Sequence, residues 1–193
     1  MKIILASKSG VRKKILDDNN IESEVVHSNV DEDLAKESLQ ESGADPLSIS
    51  KNLAELKSTK VSSRLVNELV LGADSVISIN NELINKPKDR VDALKILKKL
   101  NGKKHQLISS VCFSKNGSMI WNYTDTSNLK MKNLQEKELE NYLSKIETDT
   151  LLAYGVYQIE SGGLDLFESV EGDRASIMGL PVKHIINYIR LFK

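Results

Sequence analysis

The stretch at residues 69–79 constrains the fold most, because Leu-Val-Leu-Gly-Ala-Asp-Ser-Val-Ile-Ser-Ile is apolar on both faces of a strand. Such a strand is buried on both sides, as in a sheet that helices cover on each face. Strand-like and helix-like segments alternate along the rest of the chain. We therefore expect an α/β fold with a mixed sheet and with this stretch as a central strand.

Local signals place other elements around that strand. The pair Asp45-Pro46 is typical of a helix start, and Asn116-Gly117 is typical of a tight turn between two strands. Further strands are expected at residues 2–6 and 23–27, and from residue 147 through Phe167. Helices are expected after residue 10, at 46–64, 91–100 and 135–146, and after Pro181.

Length and charge limit the class of protein. The chain has 193 residues, with 27 basic and 27 acidic side chains. This length fits one domain, residues 1–193, and the balanced charge predicts no binding to nucleic acid or to an anionic membrane. There is no apolar run of about 18 residues to span a membrane. The single cysteine, Cys112, matches a reducing compartment, so we expect a cytoplasmic protein.

Several common catalytic motifs are missing from the sequence. It has no Gly-x-x-x-x-Gly-Lys-Ser/Thr loop, no Gly-x-Gly-x-x-Gly after a strand, and no Gly-x-Ser-x-Gly. The histidines His27, His105 and His184 are too far apart to form a spaced metal-binding motif. We expect them on the surface or in packing. The sequence therefore favours neither a Walker-type NTPase, nor a dinucleotide-binding enzyme, nor a serine hydrolase.

The segment at residues 5–14 has the composition of a phosphate site. A strand ends in two hydroxyls and a glycine, and a helix then begins with three cations in its first turns. Free N–H groups at a helix start bind anions, whereas cations there are unfavourable unless an anion is bound. The alternative is a helix cap at Ser9 followed by a solvated basic face.

A second group of candidates consists of acids and lysines. Asp74 stands inside an apolar strand, where a carboxylate is costly unless it is paired, hydrogen-bonded or bound to a cation. The acidic residues 31–33 are a candidate ligand set for a hard cation, although most acidic triplets are solvated loops. Lys86 precedes a proline that fixes an extended backbone. Lys57 lies near the apolar stripe of its helix, and snorkelling explains it as well as function does.

These segments resemble the signatures of the Maf (septum-formation-inhibitor-like) family, in the family's order and spacing. The matching segments are Leu5-Ala6-Ser7-x-Ser9-x-x-Arg12, Val30-Asp31-Glu32, Gly72-Ala73-Asp74-Ser75-Val76, Lys86-Pro87, residues 153–160, and Val170-Glu171-Gly172-Asp173 followed by Gly179-Leu180-Pro181. Each is weak alone, but together they cover nearly the whole chain. The resemblance implies an elongated mixed sheet of the Maf and inosine-triphosphatase type, with flanking helices and a cleft between two lobes.

The resemblance also implies a reaction. A nucleoside triphosphate would be hydrolysed between its α and β phosphates, to the monophosphate and pyrophosphate, with Mg²⁺ or Mn²⁺. Asp74 matches the family's catalytic acid and Glu32 its second acid, so both are the expected metal ligands. Two matched lysines and four matched phosphate-loop residues complete the implied site: Lys57, Lys86, Ser7, Ser9, Arg12 and Lys13. Family members are often dimers, so a homodimer is among the implied partners.

Three positions differ from the family's pyrimidine-preferring branch. Val11 stands where that branch has arginine, Ser75 where threonine is common, and Glu160 where glutamine falls. The acid at Glu160 resembles instead the branch associated with 7-methyl-GTP. A carboxylate accepts the two adjacent N–H donors of guanine and is attracted by the positive charge of 7-methylguanine, whereas the carbonyls of uracil repel it. We therefore expect a guanine-type or modified-purine preference.

Two other functions are kept as alternatives. The first is a non-catalytic nucleotide-binding regulator of cell division, which would not need Asp74, Glu32, Lys57 and Lys86 together. The second is a nucleic-acid-binding module, which the zero net charge and the aromatic content of 5% disfavour.

Overall fold

Seven strands form one mixed sheet in the computed structural model, which describes residues 2–159 and 162–192. The strands are β1 (Ile3–Ala6), β2 (Ser23–Val25), β3 (Val70–Ile79), β4 (Glu82–Ile84), β5 (Lys104–Lys115), β6 (Ser118–Met131) and β7 (Phe167–Glu171). The helices are α1 (Gly10–Asp18), α2 (Glu32–Glu41), α3 (Pro46–Ser62), α4 (Arg90–Leu100), α5 (Glu136–Ser144), α6 (Thr148–Tyr154), α7 (Arg174–Ile177) and α8 (Val182–Arg190). The predicted α/β class with a mixed sheet is confirmed.

The sheet has the order β2-β1-β3-β5-β6-β7, and β4 pairs with β3 outside this path. Strand β1 runs parallel to both β2 and β3, whereas the remaining pairs are antiparallel. Strand β3 is therefore central, as predicted.

Both faces of β3 are covered by helices. On one face Leu71 packs with Leu16 of α1 and Ile185 of α8. On the other face Val76 packs with Leu53 of α3. This double burial explains why residues 69–79 are apolar on both sides.

The sheet has a gap beside the middle of β3. Strand β1 ends with Ala6 opposite Gly72, and β4 begins to pair with β3 only at Ile77. Residues 73–76 therefore have no strand partner on that side, although β5 pairs with them on the other. A site can therefore form at this gap from the backbone of residues 73–76 and from the side chains of Asp74 and Ser75.

Local capping follows the sequence signals. The Asp45 side chain accepts a hydrogen bond from Ser48 N at 2.7 Å, and Pro46 occupies the start of α3. Asn116 and Gly117 adopt positive φ angles of 51° and 79° in the turn between β5 and β6. The predicted helix start and hairpin are both confirmed.

The structure decides one open alternative and corrects one prediction. Residues 31–33 begin a helix rather than forming a solvated loop: Asp31 caps α2, and its side chain accepts from Leu34 N at 3.0 Å. Acids in a first helical turn are favourable, so the acidic triplet is a helix start. Residues 148–154 form α6 rather than a strand, and Gly163–Leu166 form a 3₁₀ turn before β7. Short apolar runs such as 151–153 do not distinguish helix from strand.

Burial agrees with the expectations for several isolated residues. Cys112 and His105 are buried, and the His105 Nε2 lies 3.0 Å from the Tyr157 hydroxyl. His184 stacks on Tyr123. Within the described residues, none of the helices has the length and apolar character needed to cross a membrane.

Candidate active site

A cleft of about 370 Å³ opens at the gap in the sheet. Val11 and Met178 line the cleft and pack against the hydrophobic core that contains α1 and α8. Ile77 and Ile96 also line it and pack against a second hydrophobic core, which contains α4, α5 and α6. The predicted site residues found in its lining are Ser7, Ser9, Val11, Arg12, Glu32, Lys57, Asp74, Ser75 and Lys86. Side chains from five separate segments of the chain thus meet in one cavity.

Two predicted residues are not placed there. Lys13 is absent from the cleft lining and forms an ion pair with Asp17 one helical turn further along α1. Glu160 lies outside the described residues. The assignments of Lys13 to phosphate binding and of Glu160 to base specificity therefore remain predictions.

Asp74 is the most buried acid of the cleft, with 4% of its surface exposed. Its Oδ1 accepts a hydrogen bond from Lys57 Nζ at 2.8 Å, and the same Nζ lies 3.0 Å from Glu32 Oε1. Lys57 is 4% exposed, so this lysine joins two carboxylates inside the protein. The Asp74 Oδ2 is buried and has no hydrogen-bond partner among the described residues. An unpartnered carboxylate oxygen is costly in isolation, and a ligand or water that donates to it removes that cost.

The neighbouring charges shift the pKa of two groups at the rim of the cleft. Burial of the Glu32 carboxyl opposes its ionisation, but the ammonium groups of Lys57 and Lys86 outweigh burial and lower the pKa of Glu32 below its usual value. Lys86 is exposed to solvent, yet partial desolvation lowers the pKa of its ammonium group, although the charge of Glu32 opposes this shift. Glu32 is therefore an anion at neutral pH.

Arg12 is bound to the protein by four hydrogen bonds. Its Nε donates to Gly179 O at 2.9 Å, and its Nη1 donates to Ala73 O at 2.9 Å and to Ser7 Oγ at 3.3 Å. Its Nη2 donates to Ser75 Oγ at 3.1 Å. Burial lowers the pKa of the guanidinium, but arginine stays charged in proteins. Since a guanidinium has five N–H donors, one remains for a ligand, and the main effect of Arg12 is to join α1, the gap in β3 and the turn at Gly179.

The hydroxyls of Ser7 and Ser9 are oriented as donors. Ser7 Oγ accepts from Ser9 N at 3.2 Å and from the Arg12 side chain, and Ser9 Oγ accepts from Arg12 N at 3.3 Å. No acceptor for either hydroxyl hydrogen is found within the described part of the chain. Both hydroxyls therefore have a hydrogen to donate to an anion at the start of α1, as predicted for a phosphate loop.

The hydroxyl of Ser75, unlike those of Ser7 and Ser9, has no hydrogen left to donate to a ligand. Ser109 Oγ donates to Ser176 O at 2.7 Å, so its one hydrogen is used there. At the 3.0 Å contact between Ser75 and Ser109, Ser75 must consequently be the donor. Ser75 also accepts from Arg12. Ser75 therefore presents only a remaining lone pair to the cleft, and it accepts from a ligand rather than donating to it.

Two charged residues of the cleft, Lys8 and Lys36, were not singled out as site residues in the sequence. Lys8 lies between Ser7 and Ser9 and is exposed. Lys36, on α2 one turn after Glu32, lines the cavity and is 9% exposed. Recognising Asp31 as a helix cap would have revealed it, since positions four apart lie on the same face of a helix.

The chain is similar to several known proteins over most of its length. The model of the Maf-like protein family matches residues 2–192. A nucleoside triphosphate pyrophosphatase of Pelagibacter ubique is 61% identical over 99% of this chain and 98% of that protein. A 7-methyl-GTP pyrophosphatase of Mesorhizobium japonicum is 36% identical, over 98% of this chain and 95% of that protein. The solved structure of the Staphylococcus aureus Ham1 protein superposes with a TM-score of 0.40 and 16% identity, over 69% of this chain and 73% of that chain.

Proposed function

Since the chain belongs to the Maf family, we propose that its cleft hydrolyses a guanine-type nucleoside triphosphate, such as GTP or 7-methyl-GTP, to the monophosphate and pyrophosphate. The names of its full-length relatives support the pyrophosphatase class. The observation that carries the proposal is Asp74, a buried carboxylate held by Lys57 through one oxygen and unpartnered at the other.

Asp74 is suited to act as the general base. Its Oδ2 accepts a proton from water while the water oxygen bonds to the α-phosphorus. The bond from the α-phosphorus to the bridging oxygen breaks, and that oxygen leaves with the pyrophosphate and the electron pair. Lys57 fixes the carboxylate through Oδ1, so that Oδ2 is the basic atom. General-base assistance of this kind is worth about 10²–10⁴-fold in rate.

The charges of the cleft fit a triphosphate. The lining that the structure describes has two carboxylates, Glu32 and Asp74, and more cations than acids: Lys8, Arg12, Lys36, Lys57 and Lys86. A triphosphate carries about four negative charges, and charge develops on the leaving pyrophosphate in the transition state. The apolar residues Ile77 and Ile96 offer a separate surface for a flat base.

The acids of the cleft also fit a divalent cation. Among the described residues, no cluster of three or more His, Cys, Asp or Glu side chains is arranged to hold a metal. Magnesium, however, is commonly held by one or two carboxylates together with substrate phosphates. Glu32 and Asp74, whose carboxylates both contact Lys57 Nζ, would be the two carboxylates that meet that need. A bound Mg²⁺ or Mn²⁺ would neutralise phosphate charge and make the α-phosphorus more electrophilic.

Two features support a guanine-type base. Glu160 supplies a carboxylate in the sequence, which suits the two adjacent N–H donors of guanine and the positive charge of 7-methylguanine. Ser75 presents only an acceptor to the cleft, which also favours a ligand with N–H donors. Uracil and thymine offer one N–H between two carbonyls.

The test is pyrophosphate release from a panel of nucleoside triphosphates with Mg²⁺ or Mn²⁺. We expect kcat/KM for GTP or 7-methyl-GTP to exceed that for UTP and dTTP by about 10-fold or more. With a pyrimidine, the hydrogen-bond acceptors of the site would face the carbonyl oxygens of the base and find no donor. A higher rate with dTTP or UTP would overturn the guanine preference, and no release from any nucleotide would overturn the enzyme itself.

The same panel, repeated with the Ser109→Ala variant, tests whether Ser75 acts only as a hydrogen-bond acceptor toward the base. Without Ser109 as acceptor, the Ser75 hydroxyl can donate to a base carbonyl. We expect the ratio of guanine to pyrimidine kcat/KM to fall about threefold to 10-fold, the worth of one net hydrogen bond. Ser110→Ala is the matched control, because Ser110 is equally buried but bonds to Thr124 instead. Equal losses for all nucleotides would contradict this reading.

A further inference from the structure

Lys36 directs a cation into the cleft. It is 9% exposed and lines the cleft, and no hydrogen bond or ion pair of its ammonium group is found in the described residues. Its Nζ is not among the buried polar atoms that lack a partner in those residues, so the aliphatic stem is buried while the ammonium group stays in contact with solvent in the cleft. The ammonium group is therefore available to bind an anionic ligand.

The other cations of the cleft are either bound to protein groups or exposed. Lys57 is bound to Asp74 and Glu32, and Arg12 is bound by four protein groups. Lys8 and Lys86 are exposed residues of the lining, although partial desolvation lowers the pKa of the Lys86 ammonium group. Of the two buried lysines in the lining, Lys36 is therefore the one whose ammonium group forms no ion pair with the described residues.

The surroundings of Lys36 indicate where such an anion would bind. Glu32 lies one helical turn before it on the same face of α2. Burial is the largest influence on two neighbouring pKa values: it raises that of Glu32 and lowers that of Lys86. The charge of Lys36 lowers both pKa values, so Lys36, Lys86 and Glu32 face the same region. The two lysines share the one carboxylate of Glu32 there, which leaves positive charge for a further anion.

We propose that Lys36 binds the β and γ phosphates of the substrate together with Lys86, and therefore holds the pyrophosphate leaving group. The inference rests on the proposed function and deepens it. The α-phosphate belongs at Asp74, where the attacking water loses its proton, and the rest of the triphosphate extends to the two lysines. Lys36 contributes a charge-assisted hydrogen bond that strengthens as the leaving oxygen becomes negative.

The test compares the inhibition of turnover by inorganic pyrophosphate and by the nucleoside monophosphate in wild type and Lys36→Met. We expect the inhibition constant for pyrophosphate to rise about 10-fold to 100-fold, as for a lost charge-assisted hydrogen bond, and that for the monophosphate to stay unchanged. Lys51→Met is the control, because Lys51 is exposed on α3 outside the cleft lining.

A second measurement separates this role from a structural one. Since Lys36 forms no hydrogen bond or ion pair with the described residues, Lys36→Met should leave the melting temperature of the ligand-free protein unchanged or higher, whereas loss of a structural lysine lowers it. Unchanged pyrophosphate inhibition, or a lower melting temperature with equal weakening of both products, would overturn the proposal. If wild type shows no turnover, the proposed function fails by itself, and calorimetric binding of pyrophosphate to both proteins still decides the role of Lys36.

Discussion

Replacing Asp74 by asparagine is expected to lower kcat about 10²–10⁴-fold, because the amide cannot take a proton from water. The fold should persist, since Asn Oδ1 can still accept from Lys57, and Lys57 keeps its ion pair with Glu32. The measurement is the initial rate of pyrophosphate release at saturating nucleotide, together with a thermal melt of the same preparation.

Asp17→Asn is the control for this variant, since Asp17 is exposed and pairs only with Lys13 among the described residues. It should retain wild-type turnover. If Asp74→Asn kept more than about a tenth of the rate, well above the loss of a general base, another group would have to activate the water. If the variant lost activity only because it unfolded, the melt would show it.

Replacing Gly72 by alanine is expected to destabilise the protein by about 3 kcal/mol, at the upper end of the range for overpacking. A Cβ on Gly72 would lie 2.1 Å from Ala54 O and 2.8 Å from Ser58 N. Both are backbone atoms of α3, so a side chain cannot move aside and the helix itself must shift. Lys57 lies between these two residues on α3, so the shift also disturbs its bond to Asp74.

Gly72→Ala should therefore lose both stability and turnover, as measured by urea denaturation and by pyrophosphate release. Gly10→Ala is the stability control, because a Cβ on Gly10 meets nothing within 4 Å and its φ angle is not positive. A denaturation midpoint of Gly72→Ala equal to that of wild type would contradict the close approach of α3 to β3.

Much of the fold could be predicted from local signals. The double-sided apolar run defines β3, and Asp45-Pro46 and Asn116-Gly117 define the start of α3 and the turn between β5 and β6. Residues 148–154 were predicted as strand but form a helix, because a short apolar run fits either structure. Residues 31–33 were left open between a cation site and a solvated loop, because acids at the start of a helix resemble a solvated loop in sequence. Periodicity alone does not resolve either case.

The candidate residues could be predicted, but not their arrangement. An acid inside an apolar strand makes Asp74 a candidate, and the resemblance to the Maf family adds Glu32, Lys57 and Lys86, which line the same cleft. The contact of Arg12 with Gly179 joins residues far apart in the sequence, and no local signal specifies it. The polarity of Ser75 depends likewise on a hydroxyl of β5 and a carbonyl of α7, which only the three-dimensional structure brings together.

The central claim is that water attacks the α-phosphorus of a nucleoside triphosphate in this cleft. The most direct test is to run the wild-type reaction in oxygen-18 water and to analyse the products by mass spectrometry. The account predicts one labelled oxygen in the nucleoside monophosphate and unlabelled pyrophosphate. Label in pyrophosphate or in inorganic phosphate would place the attack on the β or γ phosphorus and would contradict it.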